Sequence, residues 1–405
     1  MIKIKSDKKI LFVIPYLAKG GAEKILSNIT IHFPGEWEID ILVNDDQVID
    51  YPFKGNIITL GVTEKPKLNS VLFQFRVFLK RIRKLRKLKK EGNYQACVSF
   101  LDSTNVASIL TGNKYCKNII NIVNNMSASE KNEWIYRYIV SPLIKLFYNK
   151  ADKIVAVSED VKTDMVRNFG IKPEKIMAIY CSVDMNSISQ KIMQEIPEGE
   201  KEWFSKERTV ITAGRLEKQK GQWHLIRAFN KVIQYIPDAK LVIFGEGPME
   251  KYLKELVKGY QLEDKVLFHG FSQNLDMYIS KSAVFAFPSL YEGLSVALLE
   301  ALACALPCIA ADGASGAREQ LAPDYTGVIQ GYYKGEYGIL VEESSEEMPD
   351  VKVPLDRCEN GLAEAMIEVL TSESLRMHYS EKARERSRAY DVELISRQWG
   401  EVVKD

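Results

Sequence analysis

The stretch Phe287-Pro288-Ser289-Leu290-Tyr291-Glu292-Gly293-Leu294-Ser295-Val296-Ala297-Leu298-Leu299-Glu300-Ala301-Leu302 reads as a strand end, a short loop and an apolar helix. Pro288 closes the strand, and Glu292 and Gly293 occupy the loop. Pro307 stops the helix, because proline lacks the amide that a helix interior needs. A helix that is apolar almost all round is covered on several sides. A parallel sheet with crossover helices supplies such an environment.

The same strand-then-helix alternation extends outward in both directions. On the C-terminal side of residue 208, apolar runs occur at Thr209 to Ala213, Lys240 to Phe244, Lys265 to His269, Ala283 to Pro288 and Cys308 to Ala310. An earlier series covers Ile10 to Ile14, Glu38 to Val43, Ala96 to Phe100, Asn118 to Val123 and Lys153 to Val157. Runs of this length separated by helices indicate parallel strands covered on both faces. Two such series predict an α/β chain of two Rossmann-like, doubly wound domains in tandem. The expected boundaries are 1–186 for the first domain, 187–208 for a polar linker, 209–375 for the second domain, and 376–405 for a charged helical segment that either caps the second domain or returns to the first. Ligands of such sheets bind at the carboxyl ends of strands, which places a site in the cleft between the domains.

Composition excludes several classes. The 405 residues are 46% hydrophobic and 27% charged, with 55 Lys plus Arg against 54 Asp plus Glu. That is the balance of a globular enzyme, and no nucleic-acid partner is expected from it. The six cysteines are scattered without a CxxC pair, so buried free thiols are expected, with no disulfide framework and no metal cage. Ile10 to Leu17 is an apolar run broken at Pro15, shorter than a signal core, and no run approaches the length of a spanning helix. The expected location is the cytoplasm, with peripheral attachment to the inner face of the membrane.

Within the opening stretch Glu300 is anomalous, since an ionised carboxylate in an apolar helix needs a partner or a ligand. Glu292 precedes it by eight residues, about 12 Å of rise if the helix begins near Glu292. That separation suits two ends of one extended ligand. Between them Gly293 permits close backbone approach, and the amides of Gly293, Leu294 and Ser295 at the helix start favour a phosphate. The alternative is a capping Glu292 and a structural Glu300 paired with an arginine. A second cluster, Gly214-Arg215-Leu216-Glu217-Lys218-Gln219-Lys220-Gly221, follows a strand and precedes a helix. It puts Arg215 and Lys220 at the carboxyl end of the second domain's first strand, where two cations can hold a pyrophosphate and stabilise it as a leaving group. A solvated basic turn is the other reading. Gly245-Glu246-Gly247-Pro248 lacks the third glycine of the dinucleotide fingerprint, which disfavours a dehydrogenase.

Together these residues resemble the retaining family-four glycosyltransferases of the GT-B fold. The matching pieces are Gly20-Gly21-Ala22-Glu23, the 214–221 loop, Gly245 to Pro248, His269-Gly270-Phe271 and the Glu292 to Glu300 cassette, in order. The Ser315-Gly316-Ala317-Arg318-Glu319 stretch resembles the subgroup that builds bacterial surface polysaccharides, capsule among them, and lipid-linked oligosaccharides. The resemblance implies a hexosyltransferase moving a hexose or N-acetylhexosamine from a nucleotide sugar, UDP-linked, to a glycan or polyprenyl-pyrophosphate-linked acceptor. It implies that Arg215 and Lys220 bind the donor diphosphate, that Glu300 takes the ribose hydroxyls, and that Glu292 with the Gly293 and Leu294 amides holds the sugar and β-phosphate. Gly214 bounds the diphosphate loop, Gly245 and Phe271 lie near the base, and Gly20 and Gly21 border phosphate and acceptor. Relatives carry a histidine near the transferred sugar where this chain reads Asn121-Ile122-Val123-Asn124-Asn125. Asn124 or Asn125 can give the sugar a hydrogen bond but cannot act as a base. No cofactor and no metal ion is expected to be required. A sugar-nucleotide epimerase or phosphorylase of the same fold, or a non-catalytic scaffold, are the competing readings.

Residues Gln74 to Lys90 carry nine cations and no acid, with apolar residues Val71, Phe75, Phe78, Ile82, Leu85 and Leu88 at three- and four-residue steps. This predicts an amphipathic basic helix. A crossover helix with its charges in water accounts for the pattern, but uncompensated cations also ask for an anionic partner. An anionic membrane surface or an acceptor pyrophosphate is expected there, met by Lys80, Arg83, Lys84 and Lys87.

Overall fold

The computed structural model describes residues 8–404 other than 19, 36, 63–70, 314 and 315; Ser315 of the sequence motif therefore lies outside the described residues. The chain divides into two compact units, Met1–Ser182 with Val392–Asp405, and Val183–Asp391.

In the first unit, strands β1 Lys9–Val13, β2 Glu38–Val43, β3 Asn56–Thr59, β4 Ala96–Phe100, β5 Lys117–Ile122, β6 Lys153–Ala156 and β7 Ile176–Ala178 form a parallel sheet in the order β3-β2-β1-β4-β5-β6-β7. The helices are α1 Gly21–His32, α2 Val71–Glu91, α3 Asp102–Leu110, α4 Met126–Asn132, α5 Ser141–Phe147 and α6 Glu159–Phe169. Ile10, Leu11, Phe12 and Val13 are all fully buried, as a strand sandwiched between two helical layers must be. Local signals set the helix ends. The Ser158 hydroxyl accepts from the Val161 amide at 3.1 Å to start α6, and Gly170 ends it in the left-handed conformation at φ 67°.

The second unit repeats the plan. Strands β8 Thr209–Ala213, β9 Lys240–Phe244, β10 Val266–Gly270, β11 Val284–Phe287, β12 Cys308–Ala311, β13 Tyr332–Lys334 and β14 Ile339–Val341 take the order β10-β9-β8-β11-β12-β14-β13, with β13 alone antiparallel. Its helices are α7 Met185–Lys191, α8 Gln222–Tyr235, α9 Glu250–Gly259, α10 Leu275–Ser280, α11 Val296–Ala303, α12 Ala317–Leu321, α13 Arg357–Thr371 and α14 Glu373–Ser387. The stretch expected as a linker, 187–208, belongs to this unit. Lys191 at the end of α7 pairs with the buried Asp276 at 2.9 Å, and Trp203 packs beneath the Lys240 ammonium, 4.6 Å from its ring centroid. The C-terminal segment divides in two: α14 packs on α11, and α15 Val392–Lys404 belongs to the first unit. There Trp399, 1% exposed, lies 6.0 Å from the Phe100 ring.

All six cysteines are buried and free, and burial pushes the Cys116 and Cys358 thiols up to about 12. In α8 the fully buried Arg227 donates to Glu359 at 2.7 Å and to the carbonyls of Asp350 and Val353 at 2.8 and 2.9 Å. His224 and Asp356 sit beside the same carboxylate. Glu359 Oε1 is already met by His224 and Arg227, and Oε2 by the Asp356 amide, so the cluster is a satisfied ion-pair network that ties α13 to α8.

Burial raises the Glu359 carboxyl, but the hydrogen bonds from His224 and Arg227 outweigh it and hold the group below its ordinary value. A depressed folded pKa stabilises above the unfolded pKa and loses its contribution as pH falls through the folded value. Glu359→Ala, which strands Arg227, should therefore cost about 3–5 kcal/mol at neutral pH. In chemical denaturation the difference from wild type should shrink below about pH 4.

Candidate active site

In each sheet the chain starts from a central strand, winds outward to one edge, and then returns to the other side of that first strand. In the second unit the reversal lies between β8 and β11. The helices that follow these two strands leave in different directions, which opens a crevice at their carboxyl ends. The loop 214–221 follows β8, and the loop 288–295 follows β11. Both sequence-predicted clusters thus flank one switch point.

The two loops are laced together by backbone and side-chain bonds. The Leu290 amide donates to the Gln219 carbonyl at 2.9 Å, and Gln219 Nε2 donates to the Tyr291 carbonyl at 2.8 Å. Gly221 has φ +59°, and a Cβ there would stand 2.4 Å from the Pro288 carbonyl oxygen, so only glycine fits this crossing. The neighbouring loops continue the rim. The Leu216 amide donates to the Glu246 carbonyl at 3.0 Å, the Gly245 amide to the Gly270 carbonyl at 2.8 Å, and Gln320 Nε2 to the Ser295 carbonyl at 3.1 Å.

This framework sets Lys220 against Glu292. The ammonium donates to Glu292 Oε1, the Ser289 hydroxyl donates to the same oxygen at 2.8 Å, and the Phe287 ring lies 5.8 Å from the nitrogen. Their side chains are 16% and 10% exposed. A compact cation held at a mostly desolvated site, with a mobile stem and one carboxylate partner, can exchange that partner for an anionic ligand. Ser295 caps α11, accepting from the Leu298 amide at 3.2 Å.

The helix therefore begins at Val296, later than the sequence spacing suggested. Glu292 lies in the loop, so the rise of a continuous helix does not measure its distance from Glu300. Gly293 and Leu294 belong to the loop before the N-cap. Glu300 is buried in the second turn of α11, 5% exposed. Arg215 does not join Lys220 at Glu292: its side chain is 59% exposed and donates to Glu217 at 2.9 Å. Gly214 begins the β8 loop, and Gly245 and Phe271 follow the ends of β9 and β10 on the same rim. Arg318 is held by Asp312 and by the Gly327 carbonyl at 2.9 Å.

In the first unit Gly20 and Gly21 stand at the start of α1, at the carboxyl end of β1. Asn125 is committed to structure, its side-chain oxygen capping α4 by accepting from the Ala128 amide at 3.0 Å, which leaves Asn124 as the half-buried member of the pair. The basic helix is α2, but its nine cations are not equivalent. Arg81 is buried, donating to Asn44 at 2.9 Å and Ser103 at 3.2 Å, and Lys89 is buried on the Ser108 carbonyl at 3.0 Å. Lys80, Arg83 and Lys87 are exposed and Lys84 half-buried. Phe75, counted in the apolar stripe from spacing, is 57% exposed. Sequence reasoning passed over Asp102, which follows β4 and accepts from the Tyr148 and Tyr136 hydroxyls at 2.9 and 3.1 Å. Its signal is a lone acid two residues past a fully buried strand.

Comparison with known proteins bears on this arrangement. The model of the glycosyl transferases group 1 matches residues 194–333, and that of Glycosyltransferase Family 4 matches 19–187. A Campylobacter jejuni protein named as an N-acetylgalactosamine-N,N'-diacetylbacillosaminyl-diphospho-undecaprenol 4-alpha-N-acetylgalactosaminyltransferase is 30% identical over 96% of this chain and 98% of its own length. The chain belongs to the family 4 glycosyltransferases. An uncharacterized glycosyltransferase of Methanocaldococcus jannaschii is 33% identical over 83% of this chain and 85% of its own. Among solved structures, a sucrose-phosphate synthase from Thermosynechococcus elongatus superposes with a TM-score of 0.76 at 18% identity, covering 98% of both chains. The Anabaena protein HepE, solved with UDP and glucose, gives 0.72 at 19% identity over 98% of this chain and 99% of that one. The fold of this glycosyltransferase is GT-B, and the epimerase, phosphorylase and scaffold readings give way to glycosyl transfer.

The Lys220–Glu292 contact predicts strong coupling. In a double-mutant cycle of Lys220→Met and Glu292→Gln, read by denaturation of the ligand-free enzyme, the coupling should be about 1–3 kcal/mol. Additive single effects would mean that the two side chains do not act as a unit.

Proposed function

We propose that the enzyme transfers an N-acetylhexosamine or hexose, with retention of the α configuration, from a UDP-sugar to an acceptor carried on a polyprenyl diphosphate at the cytoplasmic face of a membrane. The observation that carries this reading is the Lys220–Glu292 contact on the two loops that flank the switch point of the second unit. Support for the substrates comes from relatives. Two C. jejuni proteins that match over 96% and 98% of this chain are named as α-N-acetylgalactosaminyltransferases acting on undecaprenol-diphosphate-linked glycans.

In this mechanism the donor diphosphate takes the Lys220 ammonium from Glu292, and the exposed Arg215 turns from Glu217 to the same phosphates. Glu292 is then released to the sugar hydroxyls, and Glu300 takes the ribose. The bond from the anomeric carbon to the β-phosphate oxygen breaks while the acceptor hydroxyl attacks from the same face. Its proton passes to the departing phosphate oxygen, so UDP leaves and no side-chain base is required. Lys220, Arg215 and the start of α11 act by stabilising the charge that develops on the phosphate. With Lys220 and Arg215 turned onto the phosphates to supply the countercharge, the reaction is proposed to be metal-independent.

Transfer from a panel of UDP-sugars to a polyprenyl-diphosphate glycan, followed by NMR of the product, should give an α linkage and survive EDTA. Lys220→Ala and Arg215→Ala should each lower kcat by about 10²–10³ with the fold intact. Near-normal turnover in both, or a β-linked product, would sink the mechanism.

The membrane part rests on α2. Among the described residues no helix is long and apolar enough to cross a bilayer. The exposed cations of α2 suit anionic headgroups, each contributing about 1 kcal/mol near such a surface. Lys80, Arg83, Lys84 and Lys87 changed together to Gln should weaken co-sedimentation with phosphatidylglycerol vesicles at low salt and flatten its dependence on salt. Low-salt binding and a salt dependence equal to wild type would remove α2 as the electrostatic contact.

A further inference from the structure

Between α4 and α5 the chain makes a π turn, Tyr136–Val140, that runs directly into α5. One side of this segment faces the core, where Ile144 and Tyr148 are fully buried. The other side is also apolar. Trp134 is 67% exposed, Tyr138 68%, Leu146 61%, Ile139 49% and Ile135 45%. A surface helix ordinarily turns a polar face to water. Single exposed apolar residues need no explanation, but five within thirteen positions, spaced along one helical segment, do.

The segment is anchored. Tyr136 in the π turn and Tyr148 just beyond α5 donate at 3.1 and 2.9 Å to opposite oxygens of Asp102, two residues past β4. Burial pushes the Asp102 carboxyl up, against the lowering effect of the Tyr148 and Tyr136 hydrogen bonds. Leu101 beside it is held at φ +73°, a conformation that costs a bulky residue about 1–3 kcal/mol. The exposed side chains are thereby fixed to the carboxyl end of the sheet, the end at which doubly wound domains bind ligands.

The surroundings of the patch indicate its occupant. Residues 130–150 contain Lys131, Arg137, Lys145 and Lys150 against Glu130 and Glu133. The Arg137 guanidinium lies 5.7 Å from the Tyr138 ring centroid. Helix α3 packs against both α2 and α5, so the basic helix and the helix that carries the patch are linked through one shared neighbour. Trp and Tyr at the edge of an aliphatic surface, rimmed by cations, match the interfacial zone of an anionic bilayer. Five side chains are few for a stable protein partner, which usually takes about 20–30 residues a side.

We infer that Trp134, Ile135, Tyr138, Ile139 and Leu146 form an apolar wedge that enters the headgroup–acyl boundary of an anionic membrane, with Lys131, Arg137 and Lys145 on the lipid phosphates. The inference rests on the membrane reading of α2 but assigns a different element a different role. Charge on α2 draws the enzyme to the surface in a salt-sensitive way, and the wedge holds it there when salt screens the charges.

Trp134 offers a specific reporter. Trp37, Trp223 and Trp399 are buried, and Trp203 is half-buried under Lys240. The full-length enzyme mixed with phosphatidylglycerol vesicles should show a blue-shifted emission that brominated phospholipid quenches, and Trp134→Phe should lose both changes. Trp134→Ser with Tyr138→Ser should weaken vesicle binding at high salt by about ten- to a hundredfold, with UDP binding and the circular dichroism spectrum unchanged. Transfer to a short-chain, water-soluble acceptor should also be unchanged in the double variant. Absent quenching, or a double variant that binds vesicles like wild type at high salt, overturns the wedge. A concentration-dependent dimer of the wild type, lost in the double variant, overturns it in favour of a second copy. If the wild type transfers to no acceptor while the quenching is present, the wedge stands and the transferase substrates proposed above fall.

Discussion

The reversal of strand order between β8 and β11 is the constraint on which the site depends. Neighbouring parallel strands whose helices leave in different directions cannot close their loops over one another, so a crevice remains at their carboxyl ends. The chain fills its walls with loops that bond to each other through backbone groups, from Gly270 through Gly245, Leu216 and Gln219 to Leu290. Glycine permits the approach, since a Cβ at Gly221 would collide with the Pro288 carbonyl. Lys220 and Glu292 are then brought together by scaffold geometry rather than by any local preference of their own sequences. An ion pair so placed contributes little net stability, because desolvation offsets much of the attraction. In the proposed mechanism its value is a cation that is already dehydrated and positioned when an anionic donor arrives.

Buried charge in this protein falls into two kinds. Arg227, Arg81 and Lys89 have their donors met by carbonyls, side-chain oxygens or Glu359 in closed networks. Among the described residues, Lys220 meets one carboxylate and one aromatic face, and Arg215 meets Glu217 at the surface. The first kind fixes helices to sheets, and the second is available for exchange. The net charge of +1 conceals this division as well as the basic face of α2.

Much of the fold was legible because central strands are continuous apolar runs. All ten expected runs overlap strands of the structure, with shifts of a residue or so at their ends. The strands that went unread are β3, β7, β13 and β14, each three or four residues long and at or near a sheet edge. Edge strands such as Asn56–Thr59 and Tyr332–Lys334 have one side without a neighbour and need no apolar run. The polar composition of 187–208 predicts a linker, whereas α7 and the turn at Glu198–Trp203 pack into the second unit with few apolar residues. At the candidate site, the alternation of strands and helices puts Lys220 and Glu292 on the loops after β8 and β11 and Glu300 in a buried helix, as the structure has them. It could not reveal that Ser295 starts α11, that Asn125 is spent on a cap, or that Asp102 is held by two tyrosines 34 and 46 residues further on. Each of those depends on a partner chosen by tertiary structure.

The central claim is that the crevice between the β8 and β11 loops is a diphosphate site in which Lys220 changes partner. A crystal structure of the enzyme with a nucleoside diphosphate tests it most directly. The account predicts the β-phosphate within hydrogen-bond distance of the Lys220 ammonium, Glu292 released from it, and the ribose at Glu300. Nucleotide bound elsewhere, with the Lys220–Glu292 contact intact beneath an empty crevice, would contradict it.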